Sequence, residues 1–313
     1  MRLVFCGTPA FAVPTLEALH SAGHDIALVV TQPDRPKGRG MELSLSAVKQ
    51  KALSLSLPIT QPERIKNNAD FRAQLETIAP DAIIVVAYGR IVPKWMLDLP
   101  RHGNLNLHAS LLPKYRGAAP IQWAIASGET VTGNTVIRID EGLDTGEMLA
   151  IRELPIAPED TSVTLAPKLA HDGAQLMVET LAKLERGEIT PTPQNHAHAT
   201  LAPILTKPDG RIDFDLSAKQ IHDRFRGFQP WPGASTTFRN KQLTVHACHL
   251  TAEPGIDAEP GTLIVEHTGE LSVVCYDGTL LVLDELQLEG KKRMSAREFL
   301  NGYQLRSGEV LGR

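Results

Sequence analysis

Short runs of apolar residues, separated by stretches with helical periodicity, constrain the fold of this chain more than any other feature. Such runs lie at residues 3–6, 26–30 and 82–87, and a helical pattern precedes the third of them at residues 70–78. Strands that are apolar along their whole length are typical of parallel sheets, because helices cover both faces of such sheets. The pattern therefore predicts an α/β domain built on a doubly wound, mostly parallel sheet.

The rest of the chain divides into segments of different character. We expect a short helix at residues 121–126, a strand at 135–139 and a long amphipathic helix at 161–184. A stretch with prolines among polar residues and little apolar periodicity follows, which is typical of a linker. Because 313 residues are ample for two compact units, we expect a first domain over residues 1–187, a linker over 188–207 and a second domain over 208–313.

The second domain has the pattern of an all-β fold. After a predicted helix at residues 217–225, alternating stretches lie at residues 234–238, 243–249, 262–265, 271–274 and 279–283. Turn dipeptides such as Arg239-Asn240 and Asp277-Gly278 separate some of these stretches. About five short strands in roughly 100 residues are typical of a small Greek-key barrel, so we expect an OB-like β-barrel.

The charge balance limits how the chain can bind nucleic acid. Its formal net charge is -4, whereas domains that bind nucleic acid through their overall charge usually carry a clear basic excess. Such binding must therefore use local basic groups, each of which, taken singly, is more often a solvated face. The candidate groups are Arg35, Lys37 and Arg39; Arg224 and Arg226; Arg239 and Lys241; and Lys291, Lys292 and Arg293.

The cysteines and the amino terminus favour a cytoplasmic location. Cys6, Cys248 and Cys275 are odd in number and lack CxxC spacing, which fits a reducing compartment better than a disulfide framework. The amino terminus runs directly into an apolar strand without a signal region, and the apolar runs are too short to span a membrane. We expect a cytoplasmic, monomeric protein.

Two polar side chains alternate with leucines in one predicted strand. Asn106 and His108 project to one face, while Leu105 and Leu107 project to the other. The strand ends at a turn-rich segment, so His108 lies at its carboxyl end, where open α/β sheets bind ligands. Further along the chain, Gly142 and Gly146 flank Asp144, and glycines let the loop of Asp144 approach neighbouring segments closely. Asn106, His108 and Asp144 are therefore candidate catalytic residues.

An amide, an imidazole and a carboxylate suit the transfer of an acyl group to an amine without a covalent enzyme intermediate. Attack by an amine on a carbonyl creates an oxyanion, which a preorganised amide or imidazolium stabilises, and an ammonium, which needs a base. A carboxylate near His108 can also fix the orientation of its imidazole. Taken singly, however, His108 is equally explained as a strand-end histidine with satisfied hydrogen bonds, and Asp144 as a turn residue.

Other motifs narrow the choice of ligand. Prolines and a glycine in residues 110–120 predict a rigid exposed loop, whose Lys114 and Arg116 either meet phosphate or carboxylate groups or are simply solvated. No GxGxxG follows the first strand and no GxxxxGK[ST] is present, which disfavours dinucleotide and P-loop binding. The histidine pairs at residues 196/198 and 246/249 each lack a convincing third ligand, so we expect no metal.

Several motifs together resemble those of the methionyl-tRNA formyltransferase family, whose members use 10-formyltetrahydrofolate to formylate initiator methionyl-tRNA. The motifs are FCGTP at residues 5–9, TQPDRP at 31–36, VAYG at 86–89, NLHASLLP at 106–113, YRGAAPIQ at 115–122, GLDTG at 142–146 and PWP at 230–232. They lie in both predicted domains, and the central ones are highly specific.

The resemblance implies a formyltransferase fold for the first, catalytic domain and tRNA binding by the OB-like second domain. It implies that Asn106, His108 and Asp144 are catalytic and that 10-formyltetrahydrofolate donates the formyl group. The residues implied to contact the folate are Ser110, Leu111, Leu112 and Pro113. The family's basic loop corresponds to residues 34–41, with Arg39 as the expected tRNA contact, although this loop has fewer lysines here. The other expected tRNA contacts are Arg35, Lys37, Arg224, Arg239, Lys291 and Lys292.

Two alternative functions remain compatible with the sequence. The catalytic core also resembles formyltransferases that act on glycinamide ribonucleotide or amino sugars, and the formyltetrahydrofolate hydrolase domain. We expect the second domain and the basic loop to discriminate, because a small acceptor does not require a barrel of about a hundred residues. A third possibility is a non-catalytic RNA-binding protein in which the first domain is a scaffold.

His108→Ala distinguishes the enzyme from the RNA-binding protein. We expect the rate of formyl transfer to fall by roughly 10²-fold or more with the fold intact, because the imidazole acts on the reacting groups. Initial rates with 10-formyltetrahydrofolate and charged tRNA, together with circular dichroism of both proteins, measure this effect. A variant as active as the original chain would favour the RNA-binding protein.

Overall fold

The computed structural model describes residues 1–37, 42–252, 255–265, 269–305 and 308–312, which divide into two compact units. The first unit comprises Met1–Pro120, Val131–Pro155 and Thr164–Pro203, and the second comprises Ile121–Thr130, Ile156–Val163 and Ile204–Arg313. Much of the expected linker thus belongs to the first unit, and the domain boundaries at residues 187 and 208 stay a prediction.

Among its described residues, the first unit contains a seven-stranded sheet and two short two-stranded sheets. Its strands are β1 (Arg2–Gly7), β2 (Asp25–Val30), β3 (Arg35–Lys37), β4 (Glu42–Ser44), β5 (Ile59–Thr60), β6 (Ala82–Val86), β7 (Asn104–His108), β8 (Arg116–Gly117), β9 (Val131–Arg138), β10 (Met148–Pro155) and β11 (Leu201–Ala202). The two short sheets pair β3 with β4 and β8 with β11. The helices up to residue 185 are α1 (Val13–Ser21), α2 (Ala47–Ser54), α3 (Ala69–Ile78), α4 (Lys94–Leu97), α5 (Pro120–Ala126) and α6 (Ser162–Glu185). Of these, α5 belongs to the second unit except for its first residue. Within the described residues, no helix combines the length and apolarity that crossing a bilayer requires.

The large sheet is mostly parallel, as the sequence predicts. Its strand order is β10-β9-β7-β6-β1-β2-β5, and the five strands from β7 to β5 pair in parallel. β9 and β10 add to the β7 edge in antiparallel orientation. The sequence pattern did not reveal β10, because every second residue of this edge strand is exposed in its second half and charged residues interrupt it.

Alternate residues of the central strands contribute to two separate hydrophobic clusters. Leu105 and Leu107 of β7 lie in one cluster together with Leu16 of α1 and Met177 of α6. Val85 of β6 lies in the other cluster, with residues of α3 and α4. Because side chains alternate along a strand, the burial of the β7 leucines turns Asn106 and His108 towards the opposite face.

The second unit is built on an antiparallel sheet of six strands among its described residues. Its elements are α7 (Ala218–Gly227), β12 (Ala234–Phe238), β13 (Lys241–Leu250), β14 (Leu263–Val265), β15 (Leu271–Val274), β16 (Leu280–Leu288), β17 (Met294–Ser295) and α8 (Ala296–Tyr303). The strand order is β12-β13-β16-β15-β14, with β17 paired to β16. The predicted α/β fold followed by a small β-rich domain is confirmed.

The sequence analysis missed α8, although a local signal for it exists. Ser295 accepts a hydrogen bond from the amide of Glu298, whose carboxylate accepts from the amide of Ser295, which is a capping box. The helix then buries Phe299 completely against the sheet cluster. The Ser-x-x-Glu spacing ahead of an apolar residue could therefore have predicted a helix start.

Leu105→Ala is expected to destabilise the first unit. The side chain is fully buried, so its truncation leaves a cavity and should lower the free energy of unfolding by about 2–5 kcal/mol. Urea unfolding followed by circular dichroism measures the change. Leu53→Ala is the matched control, because that leucine is 54% exposed and its loss should change the unfolding free energy by only ~0.5 kcal/mol.

Candidate active site

The polar side of β7 ends at a histidine whose position is fixed by the following loop. His108 is 5% exposed, and its Nε2 donates a hydrogen bond to the carbonyl oxygen of Tyr115 at 2.9 Å. The backbone of Tyr115 is left-handed, with φ of 61°, so the loop folds back over the end of the strand. This contact leaves Nδ1 as the ring nitrogen that faces the neighbouring loop.

The neighbouring loop carries Asp144 and is shaped by its own side chains. The carboxylate of Asp140 accepts hydrogen bonds from the amide of Gly142 at 2.9 Å and the hydroxyl of Thr145 at 2.7 Å. A Cβ at Gly146 would lie 1.7 Å from the carbonyl oxygen of Arg138, so only glycine allows this approach to β9. Asp144 itself has φ of 52°, in the left-handed region.

The carboxylate of Asp144 brings the three predicted catalytic residues together. Its Oδ1 accepts from Asn106 Nδ2 at 3.4 Å, and its Oδ2 lies 3.7 Å from His108 Nδ1. Oδ2 also accepts a hydrogen bond from the backbone amide of Gly117 at 2.9 Å. The side chain of Asp144 is 17% exposed and that of His108 is 6% exposed. The arrangement is thus a partly buried cluster of an amide, an imidazole and a carboxylate.

The two ring nitrogens of His108 face different groups. Nε2 bonds the carbonyl oxygen of Tyr115 at 2.9 Å, whereas Nδ1 lies 3.7 Å from the Asp144 carboxylate, which is beyond hydrogen-bond distance. The ring is therefore held through Nε2, with Nδ1 turned towards Asp144.

The segment expected to contact the folate is partly built into the protein. Ser110 is fully buried, and its hydroxyl donates to the carbonyl oxygen of Lys114 at 2.7 Å. Leu112 is also buried, and its amide donates to Thr135 Oγ1 at 3.1 Å. Leu111 and Pro113 are half-buried. The folate contacts of these four residues stay a prediction.

Arg116, a candidate for binding phosphate or carboxylate groups, is turned inward. Its side chain is buried, and Nε and Nη2 donate to Gln194 Oε1 at 3.0 and 2.6 Å. Nη2 also donates to His196 Nδ1 at 3.1 Å. Lys114 remains exposed. Gln194 lies in the proline-rich polar stretch, where no periodicity or motif marks it, and the sequence analysis missed it.

The basic loop after β2 is anchored at its first residue. Asp34 accepts hydrogen bonds from the side chains of Lys49 and Gln61, which hold the pKa of its carboxyl group below the ordinary value. Arg35 follows and is exposed. The predicted contact Arg39 and the side chain of Lys37 lie outside the described residues.

Two of the basic residues proposed in the second unit have intramolecular partners. The guanidinium of Arg224 lies 4.9 Å from the ring centre of Phe228 and donates to the carbonyl oxygen of Asp209. Arg239 donates to both carboxylate oxygens of Glu309, at 3.0 and 2.8 Å. Lys291 and Lys292 are exposed in the turn between β16 and β17. Binding of tRNA by these four residues stays a prediction.

Two exposed apolar side chains lie in loops of the first unit. Ile91 follows β6 and is 91% exposed, and Leu143 directly precedes Asp144 and is 61% exposed. Lys94, the first residue of α4, donates a hydrogen bond of 3.0 Å to Glu141 in the loop of Leu143. Ligand sites combine apolar side chains with a few polar groups, so both side chains are candidates for contact with a ligand.

Comparisons with known proteins identify the family. The sequence model of the Formyl transferase family matches residues 1–181, and that of the Formyl transferase C-terminal domain matches residues 204–304. The methionyl-tRNA formyltransferase of Acidobacterium capsulatum is 66% identical over 100% of both chains. The chain belongs to the methionyl-tRNA formyltransferase family. The Koribacter versatilis relative, which carries the same name, is 64% identical over 100% of this chain and 99% of its own length.

A solved structure supports the fold of this family member but does not define its acceptor. The N-formyltransferase of Helicobacter canadensis, in complex with folinic acid and dTDP-3-aminofucose, has a TM-score of 0.66 at 18% identity and covers 90% of this chain and 98% of its own. That coverage extends beyond the first unit into the second.

Asp144→Asn is expected to abolish most of the formyl transfer activity. The amide oxygen can still accept from the Gly117 amide, but the negative charge beside His108 and Asn106 is lost. We expect kcat to fall by ~10²-fold or more without a loss of fold. Steady-state kinetics and thermal unfolding measure both properties.

Glu147→Gln provides the matched control, since its carboxylate is 47% exposed and pairs with Arg138. The loss of such a surface pair should leave kcat within about twofold of the unaltered chain. Equal activity of Asp144→Asn and Glu147→Gln would remove Asp144 from the catalytic residues.

Proposed function

We propose that this family member transfers the formyl group of 10-formyltetrahydrofolate to the amino group of initiator methionyl-tRNA by direct attack of the amine. The observation that carries the proposal is that the Asn106 amide and the His108 imidazole both lie beside the carboxylate of Asp144. The chain that holds this arrangement is 66% identical along its whole length to a methionyl-tRNA formyltransferase. Formylation of the initiator tRNA serves the start of translation.

The structure of the first unit supports a reaction without a covalent enzyme intermediate. Cys6 is fully buried in β1, and burial raises the pKa of its thiol, so it is not a ready nucleophile. The hydroxyl of Ser110 is buried and already donates to a carbonyl oxygen. The amine of the acceptor therefore attacks the formyl carbon itself, the new C–N bond forms, and the C–N bond to the donor breaks.

The three clustered residues would divide the work of this step. The Nδ2 group of Asn106 has two hydrogens, of which one faces Asp144, so the other can donate to the carbonyl oxygen as negative charge develops there. The imidazole of His108, held at Nε2 by the Tyr115 carbonyl and with Nδ1 towards Asp144, would act as a second polar group at the same place. Asp144 accepts the proton that the attacking amine loses and gives a proton to the donor nitrogen as that nitrogen leaves, so that the carboxylate is restored.

The surroundings fit a donor with flat apolar rings. Leu143 directly precedes Asp144, Ile91 follows β6, and both present apolar side chains to solvent. Such side chains would contact the rings of a folate. We propose that the segment of Ser110, Leu111, Leu112 and Pro113 completes this surface, with Leu111 and Pro113 as its accessible side chains. The donor is a co-substrate, and the proposed mechanism uses no metal.

The tRNA would be held by local basic residues, because the net charge of the chain is -4. The proposed contacts are Arg35, Lys37, Arg39, Arg224, Arg239, Lys291 and Lys292. Lys291 and Lys292 are fully available to a phosphate backbone, whereas Arg239 would first have to exchange its bond to Glu309. We further propose that the protein acts as a monomer in the cytoplasm, since one chain supplies every member of the catalytic cluster.

The acceptor can be tested directly with the purified full-length chain. We expect formyl-methionyl-tRNA to form from 10-formyltetrahydrofolate and charged initiator tRNA, with no comparable product from glycinamide ribonucleotide or a nucleotide amino sugar. Acid gel electrophoresis of the tRNA and mass spectrometry of the small acceptors measure these products. Formylation of a small acceptor without formylation of the tRNA would refute the proposed acceptor.

A further inference from the structure

A buried glutamine joins the loop of Asp144 to the rest of the first unit. Gln194 is 5% exposed, and its Nε2 donates to the carbonyl oxygens of Asp144 and Gly146, both at 2.8 Å. A side-chain amide has two hydrogens, so each carbonyl receives one of them. Both backbone carbonyls that flank Thr145 are thus held by one side chain from a distant segment.

The amide oxygen of the same glutamine also accepts hydrogen bonds. Its Oε1 accepts two hydrogen bonds from Arg116, at 3.0 and 2.6 Å, and Arg116 is itself 6% exposed. The next residue is Gly117, whose amide donates to the carboxylate of Asp144. The contacts therefore form a closed ring of interactions. The Asp144 carboxylate binds the Gly117 amide, the adjacent Arg116 binds Gln194, and Gln194 binds the Asp144 carbonyl.

The backbone of Asp144 needs such support. The left-handed region disfavours a residue with a Cβ, and Asp144 lies in it with φ of 52°. Asp140 shapes the start of the loop through Gly142 and Thr145 but does not bind the Asp144 carbonyl. Gln194 is the side chain that fixes the direction of that carbonyl, and hence of the carboxylate on the same residue.

We propose that Gln194, held by Arg116, is a positioning residue that keeps the Asp144 carboxylate aligned with Asn106 and His108. This inference rests on the proposed formyl transfer at that site. The contacts of Asp144 with Asn106 and His108, at 3.4 and 3.7 Å, are long. A shift of about 1 Å in a reacting group can cost on the order of 10²-fold in rate, so the direction of this carboxylate matters.

Gln194→Ala removes both donors to the loop and the acceptor of Arg116. We expect kcat to fall by roughly 10–100-fold, while KM for the folate and for the tRNA changes by less than about threefold. Asn134→Ala is the matched control, because Asn134 is also fully buried in the first unit and donates to the carbonyl oxygen of Leu169 and to Asp172. The control should lower thermal stability but leave the kcat of the folded enzyme unchanged. Equal kcat losses in both variants would overturn the proposal.

A double-mutant cycle separates positioning of Asp144 from a general structural role. If Gln194 acts through the Asp144 carboxylate, Gln194→Ala should lower kcat by less than about threefold when Asp144→Asn is already present. A full 10–100-fold loss in the Asp144→Asn background would show independent effects and would overturn the proposal. Absence of formyl-methionyl-tRNA from the unaltered chain is a different result, since it refutes the proposed function rather than the positioning role.

Gln194→Glu tests the proposal if Gln194→Ala does not fold. A carboxylate keeps the side-chain shape and the acceptor of the two Arg116 donors, but it replaces the donor to the carbonyls of Asp144 and Gly146 by an oxygen. We expect a folded protein with kcat lowered by at least about 10-fold. Thermal unfolding and steady-state kinetics measure both, and an active, folded Gln194→Glu variant would overturn the positioning role.

Discussion

The carboxylate of Asp144 is the group on which the candidate site depends. It accepts a hydrogen bond from the Gly117 amide and lies within 4 Å of polar atoms of Asn106 and His108. Without it, His108 would keep its bond to Tyr115 but would lose the acceptor that faces its second ring nitrogen. The negative charge beside the imidazole and the acceptor for the Asn106 amide therefore both depend on one side chain.

The sheet explains why these groups meet where they do. Parallel pairing of β7 with β6 places its carboxyl end at the edge where ligands bind in open α/β sheets. Antiparallel pairing of β9 with β7 sets Arg138 opposite Leu105, so the loop after β9 begins beside the first residues of β7. This loop folds back along the strand to bring Asp144 to Asn106 and His108. Burial of Leu105 and Leu107 on one side sends Asn106 and His108 to the other.

Fewer structural features identify the acceptor of the formyl group than identify the transfer reaction itself. The fold match to a formyltransferase solved with a nucleotide sugar, at 18% identity, bears on the fold alone. Identity of 66% along the whole chain to a methionyl-tRNA formyltransferase is the stronger argument. Two arginines proposed for the tRNA, Arg224 and Arg239, already have partners within the second unit, whereas Lys291 and Lys292 are exposed.

The α/β fold class, the β-rich second domain and the shared face of Asn106 and His108 can be predicted from the sequence alone, because strand periodicity and apolar runs are local properties. The capping box of α8 is a local signal as well. By contrast, it is the folded chain that buries Arg116 and brings Gln194 to the carbonyl of Asp144, 50 positions away. Contacts between irregular segments so far apart leave no period in the sequence, since they depend on how the whole chain folds.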